Sequence, residues 1–268
     1  MLFTSLIALV SSWPASRLPL TAQATPLASP VFRFIIWNVG QGLWTTLVVA
    51  DSCYHFDAGG ERAPWRLIVH RCKDRKNFFS FSHWDWDHIN FATLASRRLS
   101  SACILNPPRG PSSQHKQEML KALPLCAENE IASHLPLEEI DRISQPDRIQ
   151  SSTRIKRLAP NDLSRVFDVA ADILAPGDST AREEKVWAQR LGFKARTIHL
   201  LVLGHHGSRT STSQLLLRRL TDLRQAVASA RKVRYGHPHS EVVTRLKSAG
   251  VALISTEEWG SVEFEVAQ

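Results

Sequence analysis

The chain is 268 residues long, 43% hydrophobic and 22% charged, with 33 Lys and Arg against 25 Asp and Glu for a formal net charge of +8. Those proportions exclude a globally disordered chain and leave room for one large α/β domain or two small ones. The basic balance favours an anionic partner, although net charge describes the field around a protein and selects no ligand by itself.

Residues 1–24 read as a signal peptide. Leu2 to Val10 is apolar but too short to span a bilayer, and Ala22-Gln23-Ala24 supplies a small-x-small cleavage pattern. Against export, no Lys or Arg precedes the apolar stretch. Residues 25–31, TPLASPV, read as a linker, and no later segment is long and apolar enough to cross a membrane. Export would place the protein in the periplasm or outside the cell. The cysteines, Cys53, Cys72, Cys103 and Cys126, form no CxxC. In an exported chain they allow three full disulfide pairings, and in a retained chain they are small buried apolar groups.

Strands are predicted at Phe32 to Trp37, Trp44 to Ala50 and Tyr54 to Phe56, separated by the Gly-rich turn NVGQG and closed by DAGG. A short basic helix over Ala63 to Cys72 and a strand at Phe78 to Phe81 follow. Just past that strand lies SHWDWDH, which packs His83, Asp85, Asp87 and His88 into six residues, with Asp87 also placed to cap the next helix. Ser101 to Leu105 reads as a strand and Gln114 to Asn129 as a helix. Residues 136–160 are polar and lack periodicity. Asp172 to Leu174 and Thr197 to Leu203 read as strands ending in APGDST and GHHGS, Ser213 to Leu220 as a helix, and Ala226 to Ala230 as a strand before RYGHPH. A helix starts at Ser240 with Gly250 just past its end, and Val251 to Ser255 with Ser261 to Val266 read as a closing hairpin. Strands interleaved with helices suit two sheets with helices outside.

Three polar groups thus follow predicted strands: the His83/Asp85/Asp87/His88 cluster, Asp178, and His205-His206. Each alone has a plain structural explanation as a capped loop, a turn or a helix entry. Together they suit metal binding. A turning loop can aim His83 and Asp85 at one cation and Asp87 and His88 at a neighbouring one, with Asp178 bridging. Imidazole and carboxylate ligands without thiolate suit two divalent ions, Zn²⁺ or Mn²⁺, in an open site fit for hydrolysis.

From Phe32 onward the chain resembles the metallo-β-lactamase superfamily, most closely the hydrolase domain of the ComEC-type DNA-uptake proteins and their stand-alone relatives. The resemblance rests on ordered motifs: NVGQG, FDAGG, SHWDWDH, NDLS (Asn161 to Ser164), PGD, GHHGSRTS and RYGHPHSEV. It implies a single domain over residues 32–268, an αββα sandwich of two mixed sheets with outer helices and metals at one edge. Position by position, it implies His83, Asp85, Asp87 and His88 as ligands, Asp178 as bridge and one of His205 and His206 completing the second metal. Asp57 is expected to organise the ligand loop. His237 and His239 are expected on the far side of the pocket, to contact phosphate or protonate a leaving group, or else to form a Pro-fixed turn capping the last helix. The chain departs from the pattern at Asn38, at Leu43-Trp44 and at Arg165. Asn161 falls where many members of the superfamily place another His ligand, so one metal is bound weakly or Asn161 supplies an oxygen.

The expected reaction is hydrolysis of a phosphodiester by metal-activated hydroxide, with Asp87 or Asp178 orienting the nucleophile, His237 at the leaving oxygen and Arg209 on a neighbouring phosphate. DNA is the expected substrate. Hydrolysis of a small ester, lactone or lactam on the same site is the rival within this chemistry, and a non-catalytic nucleic-acid-binding module is the rival outside it.

Overall fold

Alternation of side chains along the strands divides the apolar residues into three layers. In a computed structural model that describes residues 32–127, 137–140 and 159–266, two six-stranded sheets lie face to face. The expected signal peptide, the linker and most of the polar stretch 136–160 lie outside the described residues. The first sheet holds β1 (Phe32–Ile36), β2 (Thr45–Val48), β3 (Ser52–Phe56), β4 (Lys76–Ser80), β5 (Ala102–Asn106) and β12 (Val262–Val266), in the order β12-β1-β2-β3-β4-β5. The second holds β6 (Leu137–Glu139), β7 (Phe167–Val169), β8 (Ile173–Ala175), β9 (Leu200–Val202), β10 (Gln225–Ala228) and β11 (Ala252–Ser255), in the order β11-β10-β9-β8-β7-β6.

Successive residues on a strand face opposite ways, so each strand feeds two layers. Phe34 and Ile36 of β1, Ile173 of β8, Leu200 and Val202 of β9 and Val227 of β10 meet between the sheets. Their neighbours Ile35 and Phe79 face α1 (Trp65–Cys72), α3 (Ala92–Arg98) and α4 (Gln114–Leu120). Leu174, Leu201, Ala226 and Ala228 face α5 (Ala181–Arg190), α6 (Gln214–Arg219) and α8 (Ser240–Ser248). Three short helices, α2 (Trp86–Ile89), α7 (Lys232–Tyr235) and α9 (Thr256–Trp259), sit in connections. The result is the expected αββα sandwich of two mixed sheets. β3, β4 and β5 run parallel in one sheet, and β8 through β11 in the other.

Several local expectations change. The closing strands form no hairpin: β11 pairs parallel with β10, and β12 pairs antiparallel with β1 in the opposite sheet, with α9 between them. Each sheet has an edge to complete, and one chain passing across the sandwich completes both. The helix from Gln114 ends at Leu120 because the chain turns back to set the Pro124 carbonyl and Cys126 N–H against β5. Asp87 caps nothing, since Asp85 holds the N-cap position of α2 and Asp87 lies inside it. Helix α5 has no counterpart in the sequence reading, because buried Glu183 and Glu184 interrupt the apolar stripe of Trp187 and Ala188. Glu184 is satisfied there by the amide N–H groups of Thr212 (2.5 Å) and Ser213 (2.7 Å). The cysteines pair Cys53–Cys72, tying β3 to α1, and Cys103–Cys126, tying β5 to the segment after α4.

A polar network runs through the first sheet. Fully buried His55 receives the Trp44 indole N–H (3.1 Å) and the Thr46 hydroxyl (2.9 Å) at Nδ1, and its Nε2–H donates to Asn77 Oδ1 (3.0 Å). Two donors at Nδ1 leave no place for a second ring proton. Burial pushes the imidazole down to about 4, against the partly opposing Asn77 bond. The unfolded chain therefore binds a proton that the folded chain refuses between about pH 6.5 and 4, and stability is lost as pH falls through that window. A shift of this size corresponds to about 3 kcal/mol. Urea denaturation at pH 7 and pH 4 is expected to show this loss in the wild type and a loss smaller by a comparable amount in His55→Gln; equal losses would show that His55 is not the titrating group.

Candidate metal centre

The parallel strands of both sheets end at one edge of the sandwich, where open α/β sheets present functional groups. Asp57 follows β3, His83 follows β4, Asp178 follows β8, His205 and His206 follow β9, and Ser229 follows β10. The ligand loop rests directly on backbone. A Cβ on Gly59 would come within 2.3 Å of the Asp87–His88 peptide, and one on Gly42 within 2.7 Å of the Asp87 carbonyl oxygen. Leu43 N–H and Ala58 N–H bond the carbonyls of Asp87 and His88 at 2.9 and 2.8 Å. The glycines of NVGQG and DAGG are therefore a floor under SHWDWDH.

Asp178 lies at the centre and its two oxygens divide the cluster. Oδ1 faces His88 Nε2 (3.1 Å) and His206 Nε2 (3.7 Å), while Oδ2 faces His83 Nε2 and His205 Nε2, each at 3.7 Å. Asp87 Oδ2 sits 3.1 Å from His206 Nε2, and Asp85 Oδ2 sits 3.4 Å from His83 Nε2. Asp178, His83, His88 and His206 are buried, whereas Asp85 and Asp87 remain about one-third exposed.

The outward nitrogens of three imidazoles are held by acceptors. His88 Nδ1–H donates to Asp57 Oδ2 (2.7 Å), His206 Nδ1–H to the Ser229 carbonyl (3.1 Å), and His83 Nδ1–H to Ser82 Oγ (2.9 Å), whose own hydroxyl donates to Asp57 Oδ2 (2.7 Å). With those protons placed, every Nε2 lone pair turns toward the cluster. His88 Nε2 and His206 Nε2 then lie 3.3 Å apart with no proton of their own to share, and His83 Nε2 and Asp178 Oδ1 are buried without a hydrogen-bond partner. Buried polar atoms of this kind call for a cation. His83, His88 and Asp178, and separately Asp87, His88 and His206, bring ligand atoms within 4.8 Å of one another. The donor set fits divalent metal.

The charges of the cluster favour a cation at its centre. Burial opposes a charge on His88, but the Asp178 and Asp57 carboxylates outweigh it and raise its pKa well above the ordinary value. Burial likewise works against ionised Asp178, and His88 and His206 nevertheless hold its carboxyl well below the usual carboxylate range.

The remaining sequence candidates lie around this centre. Asn161 Nδ2 reaches the His205 ring at 3.4 Å from Nδ1 and 3.5 Å from Nε2. His205 and His206 both adopt left-handed backbone, at φ 49° and 55°, which turns their rings to different sides of Asp178. His237 Nδ1 lies 3.4 Å from Gln41 Nε2, its ring centroid 6.2 Å from that of His205. His239 Nδ1 accepts from Glu241 N–H (3.3 Å) and so caps α8. Arg209 is exposed, with its carbonyl held by Arg245 (3.1 Å). Asp57, at φ 58°, also accepts the Ser82 amide N–H at 2.7 Å and ties the two ends of the ligand loop together.

Sequence reasoning did not assign Ser82, Ser164 or Ser229. Ser82 lies within the quoted SHWDWDH, but a hydroxyl that only relays a hydrogen bond carries no spacing signal. Ser164 Oγ accepts the Asp178 amide N–H (3.0 Å), and Ser229 acts through its carbonyl, which any residue would supply.

Solved structures share this architecture. The metallo-β-lactamase fold protein YhfI from Bacillus subtilis superposes with a TM-score of 0.54 at 11% identity, and a diphosphatase from the PhnP family with 0.51 at 12%, each match covering 89% of this chain and 100% of the other. This is a metallo-β-lactamase fold. No protein-family model matches the chain. In sequence, this metallo-β-lactamase-fold chain is 34% identical over 252 residues to recombination protein 2 of Haemophilus influenzae, and 25% identical over 233 residues to competence protein ComA of Neisseria gonorrhoeae. These matches cover 90% and 85% of the chain but only 30% and 31% of those proteins. The likeness to competence proteins read from the motifs is thus present along most of the sequence.

Asp57→Asn removes the charge behind His88 while keeping an oxygen for Ser82, and Ser82→Ala removes the relay to His83. Each is expected to weaken Zn²⁺ or Mn²⁺ binding by about 10- to 100-fold in chelator competition, because the group bonded to a histidine's far nitrogen sets the ring's orientation and tautomer. Unchanged affinity in both would show that these bonds do not prepare the histidines for metal.

Proposed function

We propose that this protein is a metal-dependent phosphodiesterase that degrades DNA. The observation that carries the reading is the two-sided cluster around Asp178, with buried Nε2 atoms on both carboxylate oxygens and their tautomers held from behind. His88, His206, Asp87 and Asp178 would hold one cation, and His83, Asp85, His205 and Asp178 the other, with Asn161 beside His205. Bound divalent ions supply Lewis acidity and lower the pKa of coordinated water, chemistry suited to opening a phosphodiester.

The chain's own groups supply the rest. Asp87 and Asp178 are ionised and placed to orient a water at the open face, where Asp87 is partly exposed. Burial lowers the pKa of His237, followed by the repulsion of His206 and His205, so near neutrality it acts as a hydrogen-bonding group at the leaving oxygen and not as a standing cation. DNA as substrate is supported by the sequence likeness to competence and recombination proteins and by the +8 charge. The fold neighbour described as a diphosphatase supports phosphoester chemistry in general. We place the protein outside the cytoplasm, since two disulfides use all four cysteines and such bonds persist in oxidising compartments. Among the described residues no helix is long and apolar enough to cross a membrane.

Purified protein, stripped with chelator and resupplied with Mn²⁺ or Zn²⁺, is expected to cut linear DNA. Chelation should abolish the activity, and Asp178→Asn and Asp87→Ala/His88→Ala should lower it by at least about 100-fold, the scale of removing a preorganised charge-stabilising group. Bound metal without cleavage of any DNA would overturn the substrate assignment in favour of a small ester or phosphoester. Neither metal nor cleavage would leave a binding module.

A further inference from the structure

The sequence HWDWDH places two tryptophans among the candidate ligands, and the structure treats them differently. Trp84 is partly buried against the outer core of the first sheet, and its indole N–H donates to the Gly110 carbonyl at 3.1 Å. Trp86 is 52% exposed. It stands at the start of α2 between Asp85 and Asp87, whose carboxylates turn toward the histidines. Its ring lies within 11° of parallel to that of exposed His115 on α4, with centroids 6.4 Å apart. The next residue, Lys116, sets its ammonium 3.3 Å from Asp85 Oδ1. A near-parallel aromatic surface with a cation beside it therefore opens to solvent within one residue of the cluster on either side.

An indole left half-exposed in water is costly when fold and ligand geometry do not require it. The fold does not, because Trp84 already anchors this loop. The carboxylates on both sides require only that residue 86 point outward, which any polar side chain would satisfy. A flat π-face beside a phosphate site is the arrangement by which proteins hold unstacked nucleobases, and it is tolerant of sequence because every base has such a face. In a duplex both base faces are covered by neighbours, so this surface is useful only when the base next to the scissile phosphate has left its stack.

We propose that Trp86 and His115 form a stacking platform for the nucleobase adjoining the scissile phosphodiester, with Lys116 beside that phosphate, and that the platform makes the enzyme select single-stranded over double-stranded DNA. This rests on the phosphodiesterase reading and adds the strand preference to it.

The test compares wild type, Trp86→Ala, Trp86→Phe and His115→Ala on three fluorescent substrates: oligo-dT, the same length of abasic single strand, and a duplex. Metal content is measured for each variant. In wild type, oligo-dT is expected to be cut faster than either the abasic strand or the duplex. Trp86→Ala is expected to shrink the ratio of oligo-dT to abasic cleavage by about 10-fold, the scale of one base-aromatic stack, with His115→Ala showing a smaller loss and Trp86→Phe keeping most of the ratio. A ratio that stays constant in Trp86→Ala, whether overall rates fall or hold, overturns the platform and leaves Trp86 a loop-shaping residue. If wild type cuts no DNA at all, the phosphodiesterase reading fails separately. Fluorescence anisotropy then decides the platform: weaker binding of oligo-dT but not abasic strand to Trp86→Ala supports it, and equal binding of both by wild type and variant overturns it.

Discussion

A buried carboxylate among four imidazoles is the constraint on which the active edge of this protein depends. Asp178 cannot be solvated by water and finds no conventional hydrogen bond at Oδ1, so its charge has to be met by a cation that the imidazoles of the second sheet and the ligand loop hold together. That requirement is met where the parallel strands of both sheets end. It also explains why the surrounding groups are acceptors: Asp57, the Ser229 carbonyl and Ser82 Oγ hold the far nitrogens and leave Nε2 of each ring for the centre.

The remainder of the architecture can be understood as keeping that loop from relaxing. Residues 83–85 form no regular element before the single turn of α2, and the carbonyls of Asp87 and His88 are pinned by Leu43 and Ala58 beside glycines that admit no side chain. Behind the loop, β3 and β4 are locked by the buried His55–Asn77 pair, and Asn77 Nδ2 in turn bonds the carbonyls of Cys72, Arg75 and Ser100. The Cys53–Cys72 bridge ties the same strand to α1.

The departures from the family pattern have local explanations. Trp44 fills the outer core beside Trp65 and Phe91 and donates to His55, so the large residue after GQG is a packing element. Arg165 bonds the Pro107 carbonyl through Nε (3.0 Å) and pairs with Glu139 at 2.5 Å, tying β6 and the segment before β7 to the first sheet. Asn38 receives Arg62 at 3.0 Å, a contact that closes the first turn without an acidic residue.

By itself the sequence determined two sheets with helices outside them and the candidates for the cluster. Near-continuous apolar runs in strands such as FRFII and ILA require an apolar layer on both faces, and short ligand runs placed after strands can gather where parallel strands end together. Tertiary structure alone decided the contacts made between distant segments. It sent β12 to the opposite sheet from β11, because edge completion is a property of the assembled sheets and not of a turn. It chose Cys53–Cys72 and Cys103–Cys126 among pairings that spacing leaves equal, and it placed both histidines of GHHGS on different oxygens of one carboxylate. It hid α5 behind buried glutamates, of which Glu184 finds its partners in the distant Thr212 and Ser213. Last, it separated two tryptophans that look alike in HWDWDH, one against the core and one toward solvent, because where a loop enters a single helical turn the direction of a side chain is fixed by what surrounds it.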